Sequence, residues 1–135
     1  MNLFPVVASL GLLLAAGPAV AHHAFSAEFD ANRPLRLQGK VAKTEWINPH
    51  SWIHIDVEDE NGQVLTWAIE CGAPNALMRR GLNKNSVPVG TELVIDGFQA
   101  KDGSNTANAR DITLPDGSTF FVGSSGTGAP YDRPR

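Results

Sequence analysis

One cysteine, one tyrosine and two methionines occur in 135 residues. A single thiol excludes an internal disulfide and a structural zinc site built from several thiolates. Excess positive charge is missing too: 11 Lys and Arg against 14 Asp and Glu leave a net charge of −3. Nucleic-acid affinity rests mainly on phosphate neutralisation, which an acidic chain supplies poorly, so no nucleic-acid partner is expected. The chain also lacks a phosphate-binding glycine loop, a serine nucleophile elbow and an EF-hand loop. What is present is 42% hydrophobic, 19% charged and 7% aromatic, the composition of a single globular domain and not of a disordered or fibrous chain.

No Lys or Arg precedes the long apolar run, residues 3–16 (LFPVVASLGLLLAA), which follows Met1-Asn2 directly. It is too short to span a bilayer, which takes about 20 apolar residues. Gly17-Pro18 breaks it, and Ala19-Val20-Ala21 puts small residues at the two positions that signal peptidase reads. Residues 1–21 therefore read as a signal peptide, and the mature protein as periplasmic or secreted with no membrane span. A retained anchor is the alternative. Cleavage makes His22 the first residue, with a free amine beside its imidazole and His23 next in line.

The mature chain divides into a 22–34 N-terminal arm, a 35–122 barrel domain and a Gly/Ser/Pro-rich tail, 123–135, expected to be disordered. Leu35–Ile47 reads as a long strand bent at Gly39, and Asn48-Pro49 as a turn. His50–Glu58 alternates cleanly, with Ile53, Ile55 and Val57 on one face. Asn61-Gly62 signals a tight hairpin into a third strand, Gln63–Glu70, whose Leu65, Trp67 and Ile69 share a face. Pro74 and Gly81 bracket a short helix. Further strands are expected at Thr91–Ala100, Ala107–Leu114 and Ser118–Val122. Three strands, a short helix and two or three strands is the order of a mostly β, OB-like Greek-key barrel of five to six strands. A flat antiparallel sheet crossed by a helix is the alternative.

Four stretches carry a resemblance: AHHAFSAEFD at 21–30, EWINPHSWI at 45–53, PNALMRRG at 74–81 and KDGSNTANAR at 101–110. Together they resemble a domain-of-unknown-function family of small exported proteins from Gram-negative bacteria, over nearly all of the mature chain. The resemblance implies export and an OB-like β-barrel, and it implies no activity, substrate or cofactor. Cys71 stands where the family pattern leads one to expect a non-thiol residue.

All four histidines, His22, His23, His50 and His54, fall in the first 54 residues. Imidazole is the commonest transition-metal ligand, so this clustering is the most informative chemical feature of the chain. On a regular strand His50 and His54 share a face but lie ~13 Å apart. A better set is the His22 amine and ring, assisted by His23, folding back onto His50 or His54. Nitrogen donors without thiolates favour copper. The bland reading is a solvated terminus, a turn residue and an outer-face strand residue.

Trp46 and Trp52 are candidates for a ligand-stacking platform, whereas Trp67 shares a face with Leu65 and Ile69 and belongs to the core. Arg79 and Arg80 form a basic patch suited to a carboxylate or phosphate, or simply a solvated helix end. Nothing around Cys71 marks an activated nucleophile, and it reads as a small buried hydrophobe. The expected role is thus a non-enzymatic binding module, with copper as the candidate cofactor. The alternative is a metal-independent adaptor that meets a periplasmic protein or small ligand through the Trp46/Trp52 face. A hydrolase or redox enzyme using Cys71 or a histidine-bound metal is a third reading with little support. Intact mass of the exported protein should lack residues 1–21; retention of Met1 on a membrane-bound species would contradict both the compartment and the metal reading.

Overall fold

Alternating β-branched and polar residues build the wall of a closed sheet. The computed structural model describes residues 25–132. Its strands are β1 (Phe29–Glu45), β2 (Trp52–Glu58), β3 (Val64–Glu70), β4 (Glu92–Ala100), β5 (Thr106–Thr113) and β6 (Thr119–Phe121). Helix α1 (Phe25–Glu28) precedes them, and α2 (Pro74–Arg79) lies between β3 and β4. The protein is mostly β, as expected. Neighbouring strands are antiparallel except at one place, where Ala68–Glu70 of β3 pairs in parallel with Thr106–Asn108 of β5 and closes the sheet into a ring. β6 pairs with the far half of β5.

β1 is long because it serves two neighbours in turn. Residues 34–40 pair with β4 and residues 40–45 with β2. Gly39 sits at the crossover, where an added Cβ would lie 2.5 Å from the Asp56 carbonyl oxygen, so a side chain there would push the two strands apart. Every other strand lies within two residues of its expected bounds. The first begins six residues early, at Phe29 instead of Leu35, with an irregular register up to Pro34 that accommodates the missing N–H.

Ile53, Ile55, Ile69, Leu93, Ile95 and Ile112 are fully buried inside the ring. Val57 and Trp67 are half-buried and pack against that core, so Trp67 is a rim residue of it. α2 contributes Leu77 and ends as expected at Gly81, φ +90°, with Leu82 N–H donating to Leu77 O and Gly81 N–H to Met78 O. The β2–β3 hairpin forms at Asn61-Gly62 as expected, with a three-residue loop. Gly62 N–H donates to Asp59 O and Asp59 N–H to Gln63 O, and only Gly62 takes positive φ. This is a type I turn followed by a glycine bulge. The Asp59 carboxylate favours it by accepting from the Asn61 and Gln63 amides.

Residues 25–34 of the arm form α1 and the start of β1, and the described part of the tail, 123–132, packs against the fold. Phe25, Phe29, Ala100 and Ala129 form a second buried cluster, with Phe98 and Tyr131 packed against it. Phe25 meets Phe98 edge-on at 5.5 Å, and its N–H donates to Thr127 O at 2.8 Å. The Asp132 carboxylate accepts from the Thr127 and Gly128 amides, curling the tail. A few aromatic anchors fix segments whose average composition is that of a linker. Among the described residues no helix is long and apolar enough to cross a membrane.

Ile55→Ala should cost about 2–5 kcal/mol in chemical denaturation, through lost burial and a residual cavity. Thr66→Ala, at an exposed position whose hydroxyl donates to Asp56, should cost far less. Cys71 is fully buried, and burial, then the neighbouring Glu70, pushes its thiol from 9.0 up to about 12. Between those values the unfolded chain has lost a proton that the native state keeps, so stability falls as pH rises through that window. Burial raises Tyr131 to about 12 as well, with the same sign. Cys71→Ala should therefore flatten part of the alkaline fall, and equal slopes in the two proteins would contradict this account.

Candidate functional site

Period-two alternation puts Trp52, His54, Asp56 and Glu58 on the outer side of β2, opposite the inward Ile53, Ile55 and Val57. The pairing runs on past the strand: Ser51 N–H donates to Gly72 O at 3.0 Å and Cys71 N–H to Ser51 O at 2.8 Å. His50 is thereby held beside the end of β3. The two histidines meet different surroundings. His54 Nε2 lies 3.0 Å from Glu45 Oε2, and Lys43 Nζ lies 3.1 Å from Glu45 Oε1. The His54 bond first, then Lys43, holds the Glu45 carboxyl below its ordinary range.

His50 Nδ1 lies 3.3 Å from Ser124 Oγ and 3.9 Å from Glu70 Oε1. Its side chain is 20% exposed, and Nε2 makes no hydrogen bond among the described residues. Glu70 and Asn108 face each other across the parallel β3–β5 contact and are 7% and 4% exposed. Asn108 Nδ2 donates to Glu70 Oε1 at 3.4 Å, and Tyr131 Oη donates to Asn108 Oδ1 at 2.6 Å. The result is a polar row, His50–Glu70–Asn108–Tyr131, on the outer side of the ring beneath the docked tail.

Close backbone approach keeps Tyr131 in place. A Cβ on Gly123 would lie 2.5 Å from the Tyr131 ring, and Phe121 meets that ring edge-on at 5.5 Å. Arg80 completes the clasp: its guanidinium donates to Gly123 O at 2.9 Å and sits 4.6 Å above the Phe121 ring. Of the expected basic pair, Arg80 is thus committed to holding the tail, while Arg79 is exposed at the end of α2. Trp46 packs against the main core, with Nε1 donating to Thr44 Oγ1 at 3.0 Å. Trp52 lies outward, opposite Glu45 and Glu70, and no ring contact joins the two indoles among the described residues.

His22 and His23 lie outside the described residues. Among those described, no three His, Cys, Asp or Glu side chains are grouped to hold a metal, so the barrel offers single ligands and not a complete set. Sequence reasoning singled out His50 but not the groups around it, Glu70, Ser124, Asn108 and Tyr131. Glu70 reads as an ordinary outward strand residue. Its cover comes from a segment more than fifty positions away, for which the lone tyrosine of a Gly-rich tail was the only local signal.

Comparison with curated proteins and with solved structures gives no match. A family model does match, over residues 10–109, most of the chain including every strand through the first half of β5. The chain belongs to the Family of unknown function (DUF6152).

Proposed function

We propose that the protein is an exported, non-enzymatic binding module that takes one Cu(II) at its mature amino terminus, with His50 as the contribution of the barrel. The ring order β1-β2-β3-β5-β4, with a helix between β3 and β4, supports an OB-like Greek-key architecture for that module. One observation carries the metal reading: a single short segment touches both His50 and the start of the fold. Ser124 Oγ lies against His50 Nδ1, and Thr127 O accepts from Phe25 N–H. Three residues of chain span at most ~11 Å, which applies both from 124 to 127 and from Phe25 back to His22. These spans keep an amine freed at His22 within about 25 Å of Ser124, a range that includes His50.

The remaining ligand on β2 is less suitable, because His54 Nε2 already faces Glu45. His50 has the opposite arrangement, with Nδ1 turned to Ser124 and Glu70 and Nε2 open. A ligating histidine ordinarily turns its second nitrogen to a carboxylate or other acceptor in this way. Copper is favoured over zinc because the donors are an amine and imidazoles, and Cu(II) tops the divalent affinity order. A nucleophilic role is disfavoured for Cys71, whose buried thiol is pushed up to about 12.

Calorimetry of protein that begins at His22 should give one tight Cu(II) site. One extra residue before His22 should abolish most of that affinity, and His50→Ala should weaken it more than His54→Ala. The isolated 22–34 peptide is the control. If it binds as tightly as the folded protein, the barrel adds nothing, and the metal-independent adaptor reading through the Trp46/Trp52 face takes its place.

A further inference from the structure

An outward glutamate on a strand is normally solvated, yet Glu70 is 7% exposed. Burying a carboxylate is costly unless donors meet it. Here Asn108 Nδ2 donates to Oε1, and His50 Nδ1 lies 3.9 Å from the same oxygen. The direction of each bond along the row is fixed by what each group can do. The Tyr131 hydroxyl donates to Asn108 Oδ1, which turns the Asn108 amide NH₂ toward Glu70. The carboxylate only accepts. A lone pair on His50 Nδ1 would therefore face negative charge, whereas a proton there is attracted to Glu70 and donated to Ser124 Oγ at 3.3 Å.

We infer that the Tyr131–Asn108–Glu70 row is a positioning device that fixes His50 as its Nδ1–H tautomer and presents Nε2 as a ligand for a divalent metal cation. The identity of the metal rests on the proposed copper function, whereas the tautomer does not. The same strand supplies its own contrast. His54 turns Nε2, not Nδ1, to a carboxylate, at 3.0 Å from Glu45 Oε2. Two histidines four residues apart are thus set to opposite tautomers: His50 offers Nε2 outward, and His54 spends Nε2 on its neighbour. A histidine without such a partner would exchange between both forms and offer the wrong nitrogen part of the time.

The test is long-range ¹H–¹⁵N correlation of the histidine rings in metal-free protein beginning at His22, on the alkaline side of the ordinary imidazole pKa of about 6.5. His50 should carry its proton on Nδ1 and His54 on Nε2. Glu70→Gln removes the charge but keeps an acceptor for Asn108, and His50 should then show mixed tautomers. Cu(II) affinity in that variant should fall by about 10–100-fold, the usual effect of losing the partner behind a ligating histidine. Tyr131→Phe keeps the packed ring and loses only the hydroxyl, and His50 should shift in the same direction by less. Should Glu70→Gln fail to fold, Tyr131→Phe decides. The inference is overturned if wild-type His50 is the Nε2–H form, or if its tautomer is unmoved in the folded variants. If the tautomers respond while the protein binds Cu(II) no better than the 22–34 peptide, the positioning role stands and the copper reading falls.

Discussion

Three residues of parallel pairing, Ala68–Glu70 against Thr106–Asn108, turn an otherwise antiparallel sheet into a ring, and most of what is distinctive about this protein follows from that contact. Closure removes the edges that β3 and β5 would otherwise expose, which matters for a small β domain without a disulfide. It also sets Glu70 directly beside Asn108, two polar residues on the outer side of the wall. Neither is stable under cover unless the other, or something beyond it, supplies hydrogen bonds. The docked tail brings that something in Tyr131, and β2 brings His50 from the other side. A topological requirement has thus assembled a polar row that no single strand encodes.

Local rules made much of the barrel legible. Ile53 and Ile55 are buried because period-two alternation leaves them no other face, and Pro74 and Gly81 bound α2 because one suits a first turn and the other a left-handed stop. Rules of this kind act over a few residues, so a reader of the sequence can apply them. The site was harder to read, for a reason of range. Burial of Glu70 depends on Tyr131, sixty-one positions later, and on a tail whose glycines and serines look like a flexible linker. Average composition is a poor guide where binding depends on a few anchors. Phe25, Phe29, Ala129 and Tyr131 supply the apolar contacts, and Arg80 reaches across from the end of α2 to hold the carbonyls of Phe121 and Gly123.

Alternation also explains how one strand produces two histidines of different character. Residues 50 and 54 share the outer side, but the sheet around them does not repeat. At His54 the carboxylate is Glu45 of β1, which lies opposite Trp52 and reaches His54 diagonally, in partial contact with water and shared with Lys43, an exposed ion-pair setting that is worth little to stability. At His50 the sheet has turned inward under the tail, and the carboxylate it meets is nearly dry. Electrostatic interactions strengthen as water is excluded. The same His–Glu pairing is thus a surface decoration within β2 and an orienting contact just before it.

The two chain ends are the last link. Phe25 begins the described fold with its amide bonded to Thr127, and the intervening residues 124–126 lead straight to the Ser124–His50 contact. Holding both ends in one cluster couples them: Phe25 and Phe29 lose part of their cover if Ala129 and Tyr131 leave, and Glu70 is rehydrated with them. In a domain this small, ordering a dozen terminal residues costs chain entropy that burial of a few aromatic rings must offset. Such an arrangement is poorly explained by barrel stability alone, because the main core around Ile55 and Ile95 is complete without it. It does set where Phe25 and Ser124 lie relative to His50, since the docked ends hold both.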